Sequence, residues 1–389
     1  MTEKNKSIRN FPNSGNVPKL RFSEFTEDWE KRKLGEVAEI GRGKSKHRPR
    51  DAEFLYGGNF PFIQTGDIRK ADLYLTEFTQ TYSDAGLKQS KLWNENTLCI
   101  TIAANIAETA ILKIKACFPD SVIGLIPKEN KTLVLFVKHL FDKFKIEIQN
   151  LSQGAAQDNL NQEKLSKIEF SFPEINEQEK IATFLSHIDE RIISQKKIIE
   201  VLRTLKIQTR NKLIIKIIKD DYEPLLIKDI LTYEQPTKYI VTSTDYSSDK
   251  TLIPVLTANK AFILGYIDEN FGIYDKGNCI ILDDFTMDLK YVDFSFKVKS
   301  SAIKILTAKE GVNLKYIFEY FSFLNFSSSE HKRHYISEIE PMSVVLPPLE
   351  IQNKIANYLS KIDEKLKTES EIYDLFIQQK KYLLANLFV

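Results

Sequence analysis

The chain has 389 residues, of which 42% are hydrophobic and 28% are charged, and this composition indicates globular domains rather than a disordered chain. The formal net charge is only +2, so overall charge does not indicate nucleic-acid binding and local clusters must be sought instead. The three cysteines, Cys99, Cys117 and Cys279, are widely spaced, which excludes a disulfide framework and a Cys-x-x-Cys metal site. We therefore expect a cytoplasmic protein without a bound metal.

Residues 1–16 are polar and are predicted to be a flexible N-terminus, because they lack the apolar core of a signal peptide. No run of 18 apolar residues occurs in the sequence, so we expect no membrane segment. Residues 17–172 are predicted to form a first α+β domain. Strand patterns at 97–103 and 121–127 are bounded by turn residues, and a helical pattern follows at 133–144.

A basic segment lies early in this domain. Residues 41–50 (GRGKSKHRPR) contain five Lys or Arg and no acidic residue, which suits contacts with phosphates, although many charge runs are simply solvated surface. Gly43, Lys44 and Ser45 also match the end of a nucleotide-binding P-loop. Ala38 stands where the first P-loop glycine is required, however, so this match is incomplete.

A long helix is predicted for residues 173–219. Roughly 43 helical residues span on the order of 60 Å at 1.5 Å per residue, which is the length of a spacer. Apolar residues recur at alternating steps of four and three, as in a coiled coil. They are Ile181, Leu185, Ile188 and Ile192. Gln195 and Lys206 interrupt this stripe, and polar residues at such positions cost stability but fix alignment and partner.

The same signals recur in the second half of the chain. Residues 220–346 are predicted to form a second α+β domain, with strand patterns at 279–282 and 302–307 and a helical pattern at 314–323. Residues 347–389 are predicted to form a second spacer helix. Its apolar stripe consists of Ile355, Leu359, Ile362 and Leu366, and its interruptions are Glu369 and Lys380.

An internal repeat is the strongest signal in the sequence. A shift of 174 residues aligns residues 172–192 with residues 346–366, and ten of the 21 aligned positions are identical. Several identities lie outside the apolar stripe, where two unrelated amphipathic helices would not agree. They include Gln178/Gln352, Lys180/Lys354, Asp189/Asp363 and Glu190/Glu364. The sequence therefore predicts a duplicated α+β protein, whose two helices pack as an antiparallel coiled coil with pseudo-two-fold symmetry.

Three motifs link this layout to a known family. They are residues 154–160 (GAAQDNL), the run P-x4-Q-x2-I-A-x2-L-S-x-I-D-E that begins at Pro173 and again at Pro347, and the domain starts at Trp29 and Tyr222. With them the chain resembles the specificity subunit of type I restriction-modification systems, from about residue 17 to its end. Residues 327–335 (SSSEHKRHY) depart from the pattern, because they lack the glycine and the Asn-Leu pair of the first copy.

The resemblance implies a non-catalytic subunit of a methyltransferase and endonuclease complex. Each domain would read one half of a bipartite target in double-stranded DNA, while the helices hold the readers apart and dock two methyltransferase subunits. A restriction and translocation subunit would complete the assembly. No cofactor is expected in this chain, and S-adenosylmethionine, ATP and magnesium are expected in the partners. In agreement, the only Pro-Pro pair, Pro347-Pro348, lacks the Asn/Asp-Pro-Pro-Tyr/Phe context of base methylases.

Candidate DNA-binding residues follow from the two kinds of contact that sequence reading needs, cations or hydroxyls on phosphates and amides on base edges. In the first domain they are Arg42, Lys44, Lys46, Arg48, Arg50, Gln64, Thr65, Asn105, Gln153, Gln157 and Asn159. In the second domain they are Lys238, Tyr239, Thr257, Asn259, Lys260, Lys332, Arg333 and Tyr335.

Two other functions remain open from the sequence. The chain would be a structural adaptor if its duplicated coiled-coil helices and its globular domains bound only proteins. A nucleotide-dependent enzyme built on Gly43, Lys44 and Ser45 is the weaker alternative, because the P-loop pattern is incomplete.

Overall fold

The computed structural model describes residues 17–103, 105–150, 160–257, 262–326 and 334–389. They belong to two compact units. Unit 1 contains the residues up to Lys197 together with the C-terminal segment Glu371–Val389, and unit 2 contains Ile198–Ser370. Each of the two long helices is therefore divided between the units.

Unit 1 has the α+β composition predicted for the first domain. Its strands are β1 (Glu30–Lys33), β2 (Ala38–Arg42), β3 (Tyr56–Phe62), β4 (Tyr74–Leu75), β5 (Gln80–Tyr82), β6 (Leu92–Trp93), β7 (Leu98–Thr101), β8 (Thr109–Leu112), β9 (Ala116–Cys117), β10 (Val122–Pro127) and β11 (Glu169–Phe172). Its helices are α1 (Leu34–Val37), α2 (Thr65–Lys70), α3 (Asp84–Lys88), α4 (Val134–Lys143), α5 (Lys145–Asn150), α6 (Gln162–Lys167) and the first part of α7 (Ile175–Lys219).

Two sheets build the globular domain of unit 1, with strand orders β2-β10-β7-β8-β4 and β5-β3-β9-β6. The central strands β7 and β8 are buried along their whole length, which explains their continuous apolar sequence. Gly124 on β10 marks the place where the sheets meet. A Cβ there would lie 2.6 Å from the ring of Trp93, which stacks on Phe118 at 4.9 Å. The glycine therefore allows the indole of the small sheet to pack on the large one.

Unit 2 repeats this plan with fewer elements. Its strands are β12 (Pro224–Leu226), β13 (Leu231–Glu234), β14 (Ile253–Leu256), β15 (Ile263–Ile267), β16 (Cys279–Asp283), β17 (Leu289–Val292), β18 (Lys297–Val298), β19 (Ile303–Ala308) and β20 (Ser343–Val345). Its helices are the last part of α7, α8 (Ile227–Ile230), α9 (Leu314–Leu324) and the first part of α10 (Leu349–Leu387). The order β13-β19-β16-β17 matches β2-β10-β7-β8 of unit 1, and β15-β14-β18 matches β5-β3-β9.

The predicted strand and helix patterns are confirmed in both units. The strand patterns of the first domain correspond to β7 and β10, which pair antiparallel, and those of the second correspond to β16 and β19, which also pair antiparallel. The helical patterns correspond to α4 and α9. Strands β4 and β6 of unit 1 have no counterpart in the described part of unit 2, in line with the shorter second domain.

The two long helices run in opposite directions within each unit, which confirms the antiparallel coiled coil there. In unit 1, the apolar stripe at the start of α7 shares a core with the end of α10. The residues concerned are Ile181, Leu185 and Ile188 on α7 and Leu383, Leu384 and Leu387 on α10. In unit 2, Ile214 and Ile217 near the end of α7 share a core with Ile355 and Leu359 near the start of α10.

The remaining predicted packing residues are less buried. Ile192 and Ile362 are partly buried and pack at the margins of the two cores, and Leu366 is also partly buried. Each helix stripe contacts the domain of its unit as well as the other helix, since both belong to the same apolar cluster. Each long helix therefore contributes to the apolar cores of both units.

The repeated glutamine of the family motif has a structural role in both units. The Gln178 side chain accepts a hydrogen bond from the Thr132 hydroxyl at 2.8 Å and donates one to the Pro173 carbonyl at 2.9 Å. Gln352 accepts from the Asn313 amide at 2.8 Å and donates to the Pro347 carbonyl at 2.8 Å. Both glutamines are buried, so these bonds satisfy amide groups that burial would otherwise penalise.

Candidate nucleic-acid interface

The basic segment 41–50 of unit 1 is fixed to the protein through its backbone. The Gly43 amide donates to the Val122 carbonyl at 2.9 Å, and the Lys44 amide donates to the Phe118 carbonyl at 3.1 Å. A Cβ at residue 43 would lie 2.2 Å from the Pro119 carbonyl oxygen, so glycine is required by this close approach. Because two amides that a P-loop would offer to phosphate are already bonded, the segment does not have P-loop geometry.

The cations of this segment fall into two groups. Arg42 and Arg50 both bond to Asp120, the latter through an ion pair of 2.8 Å. Arg48 donates to the carbonyls of Ser45 and His47 at 2.8 and 2.7 Å. These bonds order the loop and leave part of each guanidinium available to a further acceptor. Lys44 and Lys46 are exposed.

Gln64 and Thr65 lie next to this basic segment. The amide of Ile63 donates to the Cys117 carbonyl at 2.8 Å, and Lys44 is bonded to the following residue, Phe118, so the two segments flank the end of strand β9. The Gln64 side-chain amide donates to Gln80 at 3.0 Å, which holds it at the start of α2. The structure thus brings cations and an amide side chain together at the end of strand β9 in the small sheet.

Asn105 lies elsewhere, in the turn between β7 and β8 of the large sheet, where its carbonyl accepts the hydroxyl of Thr101. Gln153, Gln157 and Asn159 lie outside the described residues. Asn105 is therefore not part of the cluster at β9.

The second-domain candidates divide differently. Lys238 is exposed on a short 3₁₀ turn, Pro236–Tyr239, and Thr257 directly follows β14, the strand that matches β3. Thr257 is largely buried, and its amide donates to the Phe262 carbonyl at 2.8 Å. Four further candidates lie outside the described residues: Asn259, Lys260, Lys332 and Arg333.

The two tyrosines predicted to contact DNA are core residues, and the structure corrects this prediction. Tyr239 is 5% exposed, its hydroxyl donates to Glu234 at 2.8 Å, and its ring meets Tyr274 edge-on at 5.3 Å. Tyr335 is fully buried with its ring 5.4 Å from that of Tyr233. An aromatic residue beside a basic pattern resembles a DNA-binding residue in sequence, whereas these rings fill apolar cores.

Buried charges hold the loops of unit 2, and their pairing could not be predicted from the sequence. Asp284 accepts the amides of His334 and Tyr335 at 3.1 and 2.9 Å, and its carboxylate lies 3.2 Å from the Lys304 ammonium. Lys304 interrupts an otherwise apolar strand, which was the available signal. These contacts fix the segment that follows residues 327–333.

A second buried pair joins Lys297 and Glu269 at 2.8 Å. Burial raises the pKa of the Glu269 carboxyl, but hydrogen bonds from Lys297 and Thr242 outweigh it and lower the pKa to about 2. The Glu269 side chain remains ionised at neutral pH and holds the amides of Thr242 and Ser243 at 3.0 and 3.2 Å. The Lys297–Glu269 pair therefore holds the loop at Thr242 and Ser243 in place.

Neither a metal centre nor a membrane helix is found in the part of the chain that the structure describes. No group of three or more His, Cys, Asp or Glu side chains is placed to hold a metal ion there. Among the helices of the same ranges, none is both long enough and apolar enough to cross a bilayer.

The duplicated sheets, the paired helices and the basic cluster at β9 of unit 1 together describe a scaffold of two related domains. The chain belongs to the family described as Type I restriction modification DNA specificity domain, which matches residues 26–204 and again residues 219–375. The family match therefore covers both copies of the repeat.

Individual relatives agree with this membership. The chain is 43% identical over 154 residues to the Escherichia coli Type I restriction enzyme EcoR124I/EcoR124II specificity subunit, an alignment that spans 36% of this chain and only 38% of the relative. It is 23% identical over 316 residues to the Methanocaldococcus jannaschii Type I restriction enzyme MjaIX specificity subunit, covering 77% of this chain and 68% of the relative. The fold is similar to that of the type I restriction-modification S subunit of M. genitalium, with a TM-score of 0.68 at 15% identity over 96% of this chain and 99% of the other.

Proposed function

We propose that this chain is the non-catalytic, cytoplasmic DNA-reading subunit of a type I restriction-modification complex and that each unit reads one half of a bipartite target. The observation that carries the proposal is the family match to both halves of the chain, together with the same sheet topology in both units. The chemistry would belong to partners: two methyltransferase subunits with S-adenosylmethionine, and a restriction and translocation subunit with ATP and magnesium.

The surface at the end of strand β9 in the small sheet is the proposed reading surface of unit 1. Its exposed Lys44 and Lys46 suit phosphate contacts, which position a protein on DNA without reading sequence. Gln64 suits a base edge, because an amide side chain both donates and accepts hydrogen bonds. Arg48 and Arg50 remain candidates, since the bonds that hold them leave donors free.

The long helices are the proposed docking surface for the methyltransferase subunits. Exposed apolar side chains occur at matching positions of the two repeats, at Phe184 and Tyr358 and again at Val201 and Leu375. They are between 37% and 65% exposed, so neither unit uses them as core. Apolar residues that recur at equivalent exposed positions fit one kind of protein partner bound twice.

The test combines the chain with its methyltransferase subunits and maps the methylated motifs. We expect the chain alone to be inactive and the complex to methylate one split motif. Lys44→Glu with Lys46→Glu should weaken DNA binding uniformly across sequences and reduce the slope of log affinity against log salt by about 1 to 2. Lys31→Glu with Lys33→Glu makes the same change of charge at two exposed lysines on β1, outside both sheets of the domain, and is the matched control.

Two results would contradict the proposal. One is methyl transfer by the purified chain without partners. The other is a complex in which DNA binding and its salt dependence do not respond to the Lys44 and Lys46 substitutions while protein partners still bind, which would favour the structural adaptor.

A further inference from the structure

In each unit, a partly buried ion cluster joins both long helices to the domain. In unit 1, the Lys380 ammonium on α10 lies 2.7 Å from Asp189 on α7 and 2.9 Å from Asp142 on α4. In unit 2, the Lys206 ammonium on α7 lies 2.7 Å from Asp363 on α10 and 2.9 Å from Glu319 on α9. We refer to these two groups as the unit 1 latch and the unit 2 latch.

The two latches are related by the internal repeat. Lys206 and Lys380 are 174 residues apart, and so are Asp189 and Asp363, which is the shift that aligns the helix motifs. Each long helix therefore contributes a lysine to one latch and an aspartate to the other. Each lysine meets the aspartate of the other helix, inside a single unit in both cases.

Burial gives these charges a selective role that an apolar stripe lacks. The side chains of Lys206 and Lys380 are 16% and 18% exposed, Glu319 is fully buried, and Asp363 is the most exposed member of the unit 2 latch at 34%. Apolar side chains one heptad apart are similar in size and chemistry, so a stripe of isoleucine and leucine discriminates weakly between stagger positions. A buried ammonium displaced from its carboxylates remains uncompensated, and this is strongly unfavourable.

We propose that the Lys206–Asp363 and Lys380–Asp189 pairs are the residues that select the partner and the stagger of the two long helices. They are positioning residues, because they act through the helices and do not touch DNA. Each latch also includes a carboxylate from a domain helix, so it fixes the domain against the helix pair. We also expect the stagger of the helices to affect the spacing between the two DNA half-sites, and this expectation rests on the proposed function.

The unit 2 latch is the simpler one to test, in the full-length chain. Lys206→Asp places a third carboxylate beside Asp363 and Glu319, with Lys315 the remaining cation. We expect its thermal midpoint to fall by more than about 5 °C. The charge exchange Lys206→Asp with Asp363→Lys restores two cations and two carboxylates and the pairing between the helices. It also puts the introduced lysine beside Lys315 and the introduced aspartate beside Glu319, so we expect it to recover part of that loss. Lys212→Asp, at an exposed position of the same helix, should change the midpoint by less than about 2 °C.

Stagger is measured directly by spin labels on cysteines introduced at the exposed positions Glu200 and Lys367, one on each helix of unit 2. The three native cysteines are buried and leave the label sites distinct. We expect one narrow distance in the parent and in the charge exchange, and a broadened or shifted distance in Lys206→Asp. If Lys206→Asp does not fold, the charge exchange alone decides, because the proposal requires it to fold with the parental distance.

The proposal is overturned if the charge exchange recovers neither midpoint nor distance, or if Lys206→Asp leaves both unchanged. These measurements need no DNA, so they are independent of the proposed function. Motif mapping with the methyltransferase subunits adds the functional arm, in which the charge exchange should keep the parental spacer. If the distances behave as expected but even the parent complex methylates no split motif, the DNA-reading function fails and the latch stands.

Discussion

The two latches reach the same balance of charge with different residues. His139 in unit 1 and Glu319 in unit 2 stand at the same distance from the N-cap residues of their helices, Leu133 and Asn313. Unit 2 takes its domain carboxylate from this position, whereas unit 1 takes it from Asp142, a turn further along the helix. The comparison indicates that a carboxylate facing the buried lysine is required, while the position that supplies it is not.

The same comparison gives unit 1 a buried titratable group that the unit 2 latch lacks. His139 is fully buried, and its Nδ1 lies 3.8 Å from both the Asp142 and the Asp189 carboxylates, too far for hydrogen bonds. Burial lowers the pKa of His139, and the nearby Asp142 and Asp189 only partly oppose this. In the unit 2 latch, Glu319 takes the place of this histidine.

The largest effect should come from charging the apolar stripe. Ile188→Asp places an unpaired carboxylate in the unit 1 core, where even truncation of a buried isoleucine to alanine costs about 2 to 5 kcal/mol. Ile362→Asp lies at the partly buried margin of the unit 2 core and should cost less. We expect the double variant to unfold or aggregate, as checked by circular dichroism and sedimentation.

The control for this prediction is Val201→Asp, on a side chain that is 65% exposed. It should leave the unfolding midpoint nearly unchanged. Equal losses of stability from Ile188→Asp and Ile362→Asp would show that the two positions of the apolar stripes are equally buried. An unchanged unfolding midpoint of the double variant would show that the helices do not pack as described.

A smaller effect should separate the latches by pH. The folded pKa of His139 lies below its unfolded value of about 6.5, so the unfolded state binds more protons in the interval between them. The stability of unit 1 should therefore fall as pH decreases from about 6.5 toward the folded pKa, by on the order of 1 kcal/mol for each unit of pKa difference. Removing the imidazole with His139→Leu should abolish that part of the pH dependence.

Urea unfolding followed by tryptophan fluorescence provides the measurement for unit 1. Both tryptophans of the chain, Trp29 and Trp93, lie in this unit, whereas tyrosine signals report on both units. His187→Gln is the control, because His187 is exposed on α7. An unaltered pH dependence in His139→Leu, or an equal loss in His187→Gln, would rule out His139 as the source.

The sequence was sufficient to predict the features that depend on local periodicity and on self-similarity of the chain. The 174-residue repeat, the two helices and the four central strands follow from spacing of apolar residues and turn signals, and the structure confirms them. The interruptions at Lys206 and Lys380 were also visible, but their partners were not. Asp142 and Glu319 lie on domain helices far from their lysines in the sequence, and long-range pairs of this kind leave no periodic signal.

The surface was harder to predict than the core. Tyr239 directly follows Lys238 and Tyr335 lies two residues after Arg333, a pattern that predicts DNA contacts, whereas both tyrosines fill apolar cores. The neighbouring positions of Gln64 and the basic segment depend on pairing of both with the region around β9, which is distant in the chain. Side chains brought together by such pairings are known only when the sheet is known.

The central claim is that each unit reads its own half of the DNA target, and exchange of one domain tests it most directly. Residues 222–345 would be replaced by the matching domain of another specificity subunit, which leaves unit 1 and both long helices in place. The hybrid and parent complexes with methyltransferase would then be compared by methylated-motif mapping. The account predicts that one half of the split motif changes while the other half and the spacer are retained. A change in both halves, or an unchanged motif in an active hybrid, would contradict it.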